Sequence, residues 1–162
     1  MFNKLLGFTL VELMVTIAVA AILLTIGVPS LLSIYEQSRA DNNIRKIHDA
    51  FAFARNQAVS YGITVNVCPY ETATSCGSTT DWSKGMRVYI DGGTDKELRV
   101  IDGFNSNDLI KGTVTSATFS SDGLSSGATI IYCAGGKSAG SRSVNVSTSG
   151  LVKFGDNDVS CS

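Results

Sequence analysis

The residues whose types could carry chemistry are few: one histidine, His48, four cysteines, and two short acidic stretches. A Ser/His/Asp or Cys/His arrangement needs an imidazole as base, so any such site would have to be built on His48. His48 sits in a run of helical periodicity with no further histidine or cysteine nearby and only Asp49 beside it, which fits a solvated or interfacial side chain. No Gly-rich phosphate loop and no HExxH helix is present. The stretch "DGGTDKE" gathers Asp91, Asp95 and Glu97, and "GDNDVSC" gathers Asp156 and Asp158. Such oxygens suit calcium, but length and ligand order depart from an EF-hand loop, and a solvated hairpin turn is the better reading. Neither catalysis, nor a metal, nor a cofactor is expected.

The cysteines Cys68, Cys76, Cys133 and Cys161 do not show the paired short intervals of a zinc site. All lie after an export-like N-terminal segment, so two disulfides in an oxidising compartment are expected. Three pairings are possible, and spacing alone does not choose among them. Cys68 with Cys76 and Cys133 with Cys161 is favoured, because each bond then closes a short loop within one half of the body.

One further ionisable residue stands out by its surroundings. Phe8 to Val28 are apolar or small apart from a few threonines and Glu12. Twenty-one residues at the helical rise reach about 31 Å, the thickness of a bilayer's hydrocarbon core. Lys4 precedes the run, which by the positive-inside rule leaves the N-terminus in the cytoplasm and sends the body across. A carboxylate in such a run costs up to about 3 kcal/mol near the bilayer centre, and something should offset it. A cleaved secretory signal, a plain anchor and a processed filament-core helix are the three readings to separate.

The elements that position these residues follow from pattern. The 162 residues suffice for one domain with a real core, and 13 basic against 14 acidic residues give a net charge of -1, so no global field draws the chain to nucleic acid or anionic lipid. From Ser30 to Tyr61 the chain reads as helix, with Ile44, Ile47, Phe51, Ala54 and Ala58 on one face and Gly62 as C-terminal cap. Beyond it, strands are predicted at Ile63 to Val67, Met86 to Ile90, Glu97 to Ile101, Thr113 to Phe119, Thr129 to Cys133, Ser143 to Ser147 and Leu151 to Phe154, separated by Gly- and Ser-rich turns. Gly27 and Pro29 should kink or loosen the helix rather than end it, since helical periodicity resumes beyond them.

The stretch "GFTLVELMVTIAVAAILLTIGVPSL" resembles the leader and N-terminal helix of type IV pilins and type II secretion pseudopilins. The blocks "ARNQAVSYGITVNVCP", "WSKGMRVYID", "ATFSSDG", "IIYC" and "RSVNVSTSG" are similar, in order and spacing, to the GspH/FimT family, whose members include FimU- and FimT-type minor pilins. The resemblance implies an α+β, type IV pilin-like fold: a long N-terminal helix, apolar half protruding and amphipathic half packed, on an antiparallel β body. It implies a leader at 1–7, a membrane and filament-core helix at 8–29, and a head at 30–162, made of helix 30–61 and β body 62–162. Cleavage would follow Gly7 and methylation would fall on Phe8. Phe8 and Glu12 would then guide subunit recognition, the ammonium of one subunit meeting the carboxylate of its neighbour.

The implied role is a minor pilin that enters and primes a type IV pilus, held in the inner membrane with its head in the periplasm until assembly. Its implied partners are other minor pilins, the major pilin and a prepilin peptidase/methyltransferase. Two alternatives remain: a FimT-like DNA-binding pilin for uptake, and a GspH-like pseudopilin of type II secretion. DNA-binding members carry a "GRxR"-like element where this chain has "GLVK", so Leu151 and Lys153 stand at the arginine positions. Lys137, Arg142 and Lys153 are the residual candidates for phosphate contact. Between Lys111 and Ser162 four basic residues face three acidic ones, a thin patch for a polyanion.

Overall fold

The computed structural model describes residues 8–90 and 96–161. The chain divides into two compact units, Met1–Tyr35 and Glu36–Ser162. Helix α1 (Leu10–Tyr61) supplies the described structure of the first unit and continues as the first element of the second. In the first unit its apolar side chains are exposed, and by length and composition it is long and apolar enough to cross a membrane. The hydroxyls of Thr16 and Thr25 donate to the carbonyls of Leu13 and Ile22, so these polar groups are satisfied inside the helix and do not penalise an apolar environment. The helix is unbroken through Gly27 and Pro29, so Pro29 is not a helix end.

In the second unit, α1 lays Ala40, Ile44, Ile47, Phe51, Ala54 and Ala58 into the core, all essentially inaccessible. Steps of three and four keep these on one stripe, and full burial of Ile47 or Phe51 is worth about 1.5–3 kcal/mol each. The helix stops at Gly62, which takes φ +64° while Ile63 N–H donates to the Ala58 carbonyl at 3.1 Å. That is the C-terminal cap expected from the sequence, at a backbone position where a Cβ is disfavoured.

Two antiparallel sheets cover this stripe. One is built from β1 (Val65–Thr72), β2 (Ser75–Cys76), β3 (Met86–Ile90) and β4 (Lys96–Ile101) in the order β2-β1-β3-β4, with β6 (Ala117–Phe119) also pairing with β1. The other runs β5-β7-β8-β9, from β5 (Leu109–Gly112), β7 (Ala128–Cys133), β8 (Arg142–Val146) and β9 (Val152–Phe154). Trp82 is the seam between them. Its backbone N–H donates to Ile110 O at 2.9 Å, its indole Nε1 donates to Val114 O at 3.2 Å, and its ring packs 6.1 Å from Phe51. Gly112 lies so close to that indole that a Cβ there would collide with Nε1.

Two strand expectations need correction, and two strands were not expected. β1 begins at Val65 rather than Ile63, because Ile63 is spent on the helix cap, and it continues through Pro69 to Thr72. A separate strand, β5, precedes the expected Thr113 to Phe119 strand, which shortens to β6 at Ala117–Phe119. Only four residues long, with a lysine and a terminal glycine, β5 carries almost no periodic signal. The two-residue β2 exists because the Cys68–Cys76 bond folds the chain back upon β1.

The structure joins Cys68 to Cys76 and Cys133 to Cys161, with Cα atoms 5.7 and 6.3 Å apart. On loop-closure entropy the bonds contribute about 2.5 and about 3.5 kcal/mol, the larger for the longer loop. Reduced, alkylated full-length protein in detergent is therefore expected to unfold at lower urea than the oxidised form. Cys133→Ala/Cys161→Ala should cost more than Cys68→Ala/Cys76→Ala; urea titration followed by the fluorescence of the single, buried Trp82 reads both.

Candidate functional site

The first candidate is the start of α1. Thr9 is its N-cap: Thr9 O accepts from Leu13 N–H at 3.1 Å, and Thr9 Oγ1 accepts from Glu12 N–H at 3.2 Å. Thr9 and Glu12 thus occupy the first and last places of a Thr-x-x-Glu capping sequence, with the carboxylate in the first turn, where the helix dipole favours negative charge. Glu12 therefore has a local reason to stand where it does, in addition to any intermolecular one. Sequence reading missed this role although the T-x-x-E spacing was visible. Phe8 precedes the cap and is 79% exposed, and the large apolar side chains from Leu10 to Tyr35 are exposed as well, none of them below 48%. Gly7 lies outside the described residues, as do Asp91 and Asp95.

The second candidate is the polar surface of the head, where the sequence had pointed to Lys137, Arg142 and Lys153. Lys137 Nζ is bound to Glu36 at 2.9 Å, and Arg142 Nε to Asp41 Oδ1 at 2.7 Å. Both cations are thus engaged by carboxylates of α1 that lie 101 residues away in sequence, a pairing with no sequence signal. Lys153 stands on the edge strand β9, across from Asn145. Beside it Phe154 stacks on His48 with ring centroids 4.6 Å apart, and the Arg45 guanidinium lies over the same ring at 5.9 Å. His48 also meets Asp49 at 3.2 Å, which makes it the interfacial side chain expected of it. Glu97, at the end of the stretch read as a solvated hairpin turn, lies on β4 and pairs with the buried Arg87 at 3.4 Å. Among the described residues no cluster of three or more His, Cys, Asp or Glu is placed to hold a metal.

Beneath this surface lies a buried polar network that sequence reading did not find. Asp108 Oδ1 accepts from Arg39 Nη2 at 2.7 Å and from the Gly135 N–H at 2.8 Å, while its Oδ2 accepts from the Tyr132 hydroxyl. Asn43 Nδ2 donates to that same hydroxyl at 2.7 Å. Burial, then the Asp108 carboxylate, push the Tyr132 phenol far above its ordinary range, so it remains a donor at any physiological pH. Four separate segments are tied at one point: α1, the loop before β5, β7, and the 3-10 turn at Ala134–Gly136 that follows it. Asp108 and Tyr132 are buried and Arg39 largely so, and each is committed to the others, which makes them a clamp rather than a reaction centre.

A family model described as type II transport protein GspH matches residues 43–150, well over half of the chain. The chain belongs to the GspH family. A second model, the prokaryotic N-terminal methylation motif, matches residues 3–28, which contain Gly7, Phe8 and Glu12. Two crystal structures of the type IV minor pilin FimU from Pseudomonas aeruginosa PAO1 share the fold. One superposes with a TM-score of 0.65 at 21% identity, covering 80% of this chain and 99% of the other. The second crystal form gives 0.60 at 24% identity, covering 78% and 99%. No curated protein matches the chain. The α+β, pilin-like architecture expected from the sequence is thus found: one long N-terminal helix followed by antiparallel sheets.

Proposed function

We propose that this GspH-family protein is a minor pilin: a structural subunit, without catalytic activity, that enters a type IV pilus and primes its assembly. The observation that carries this reading is the first unit itself. A capped, hydroxyl-satisfied apolar helix with almost every side chain exposed is suited to two successive apolar surroundings, a bilayer and a bundle of neighbouring helices. The methylation motif over residues 3–28 supports cleavage after Gly7 and methylation of Phe8 by a prepilin peptidase/methyltransferase. In this reading 1–7 is the leader, 8–29 the membrane and filament-core segment with its kink at Gly27 and Pro29, and 30–162 the head. The protein waits in the inner membrane, head in the periplasm, and then joins other minor pilins and the major pilin at the cell surface.

Deleting the gene is expected to reduce surface pili and twitching together, and the wild-type gene supplied in trans to restore both. Full piliation of the deletion strain, with secretion through a type II system impaired instead, would show that the subunit serves a pseudopilus. The DNA-binding alternative is less favoured by the ion pairs that occupy Lys137 and Arg142, which leave Lys153 and Arg45 to meet phosphate.

A further inference from the structure

Strand β4 runs beside one flank of α1 with an open groove between them. It ends the sheet order β2-β1-β3-β4 and pairs with β3 alone among the described strands, so its outer row of backbone N–H and C=O groups is not taken up by a further strand. Two cavities follow one another along it. The first, of about 360 Å³, is mostly apolar, with Tyr61, Ile63, Ile90 and Leu98 in its walls. The second, of about 400 Å³, opens between α1 and the chain from Arg99 to Asn105. It holds three cations, Arg39, Lys46 and Arg99, against one carboxylate, Asp102. Arg39 is committed to Asp108, whereas Lys46 and Arg99 are exposed and have no carboxylate partner among the described residues. Between the cavities Arg99 lies over the Phe53 ring at 5.5 Å. Arg39, Lys46, Phe53 and Gln57 fall within an arc of about 40° on α1, so the helix forms one continuous wall about 27 Å long. The six residues of β4 form the other, about 20 Å long.

We propose that this groove takes an extended segment of a different protein as an added strand on β4, with an apolar side chain in the first cavity and carboxylates in the second. Backbone pairing along a free strand edge gives affinity without regard to sequence, and the pockets beside it give selectivity. Side chains on one face of a strand recur every second residue, about 6.7 Å apart. A segment with an apolar residue at one end and acids two and four residues further on therefore reaches from Leu98 to the Lys46 and Arg99 cations. Charge complementarity names the occupant, because these two cations repel a basic strand and gain their counter-charge from an acidic one. The acidic and apolar tail of this chain is already engaged in its own head. Asp158 accepts from Gly140 N–H at 2.6 Å, Ser143 Oγ donates to Asp156 O at 2.7 Å, and Cys161 is joined to Cys133. The occupant thus comes from another kind of chain, and the inference stands whether the subunit serves a pilus or a pseudopilus.

The test uses full-length protein in lipid nanodiscs and a fluorescent peptide that alternates threonine with leucine, leucine, aspartate and aspartate. Anisotropy is expected to show saturable binding, and at saturation backbone hydrogen exchange should slow roughly tenfold over Lys96–Ile101. Lysines in place of the aspartates should abolish binding. N-methylation of every second peptide residue, tried in both phases, should in one phase weaken it roughly tenfold, because the donors facing β4 are lost. Lys46→Glu and Arg99→Glu should each weaken it roughly fivefold, and Arg99→Lys should keep most of it. Trp82 fluorescence confirms that each variant is folded. No binding at about 1 mM peptide, or binding that ignores N-methylation and leaves β4 exchange unchanged, would overturn the proposal. Two other results would overturn it by naming a different occupant. Exchange over β4 that slows with protein concentration alone assigns the groove to a second copy, and displacement of the peptide by an equimolar single-stranded oligonucleotide assigns the cations to phosphate.

Discussion

Glu12→Gln is expected to abolish incorporation of the subunit into pili while leaving its helix, its membrane insertion and its leader cleavage intact. The substitution separates two explanations for an acid in an apolar helix. One is local: Thr9 caps the helix through the Glu12 backbone N–H, and glutamine serves the third position of a capping sequence nearly as well as glutamate. The other is intermolecular: the carboxylate neutralises the Phe8 ammonium of a neighbour in a filament core. A buried ammonium deprived of its partner costs about 3–5 kcal/mol, which lowers incorporation by roughly a hundredfold or more. Thr9→Ala makes the opposite cut, removing the cap at a cost of about 1 kcal/mol while keeping the charge, and should leave piliation nearly normal. Counting subunits in sheared pili against the membrane pool reads both variants. Normal pili with glutamine at 12 would reduce Glu12 to a capping residue.

Much of this was open to reading because the informative features are local. The apolar run, Gly62 at a helix end and the loop-closing cysteines are each decided by residues close together in sequence, and the structure places a helix, a left-handed cap and two disulfides there. What escaped was long-range. Glu36 and Asp41 read as ordinary solvent-facing acids of an amphipathic helix until the loop after β7 and the start of β8 bring Lys137 and Arg142 to them. Asp108 sits in "NSNDL", a stretch that reads as turn, and nothing near it in sequence announces Arg39 or Tyr132. β5 was missed for a related reason: its pairing with β7 is dictated by Trp82 and the sheet, not by any alternation of its own four residues. For the candidate site the effect was to leave two cations as solvated loop charges when each is held by a carboxylate of α1. Their charge was legible from sequence, and their neutralisation was not.

The strongest stability effect in the head is expected at that hidden acid. Asp108→Ala removes the acceptor shared by Arg39, Tyr132 and the Gly135 N–H, and leaves a largely buried guanidinium without its carboxylate. Breaking a buried pair from one side typically costs about 3–5 kcal/mol, more than the pair's own net worth, because the surviving charge has been taken out of water for nothing. Arg39→Met/Asp108→Leu, which removes both charges while keeping volume, should therefore recover a good part of the loss, since Tyr132 retains its bond from Asn43. The same network adjoins the Cys133–Cys161 bond, because Tyr132 precedes Cys133 and the turn bearing Gly135 follows it. Losing Asp108 and losing that disulfide should consequently be non-additive, by about 0.5–3 kcal/mol, whereas losing Asp108 and the Cys68–Cys76 bond should simply add. Urea unfolding of the five full-length variants, Asp108→Ala, each disulfide removal and each of these combined with Asp108→Ala, followed at Trp82, measures this. Equal coupling to both disulfides would mean that the clamp is not the point at which the loop after β7 is held to α1.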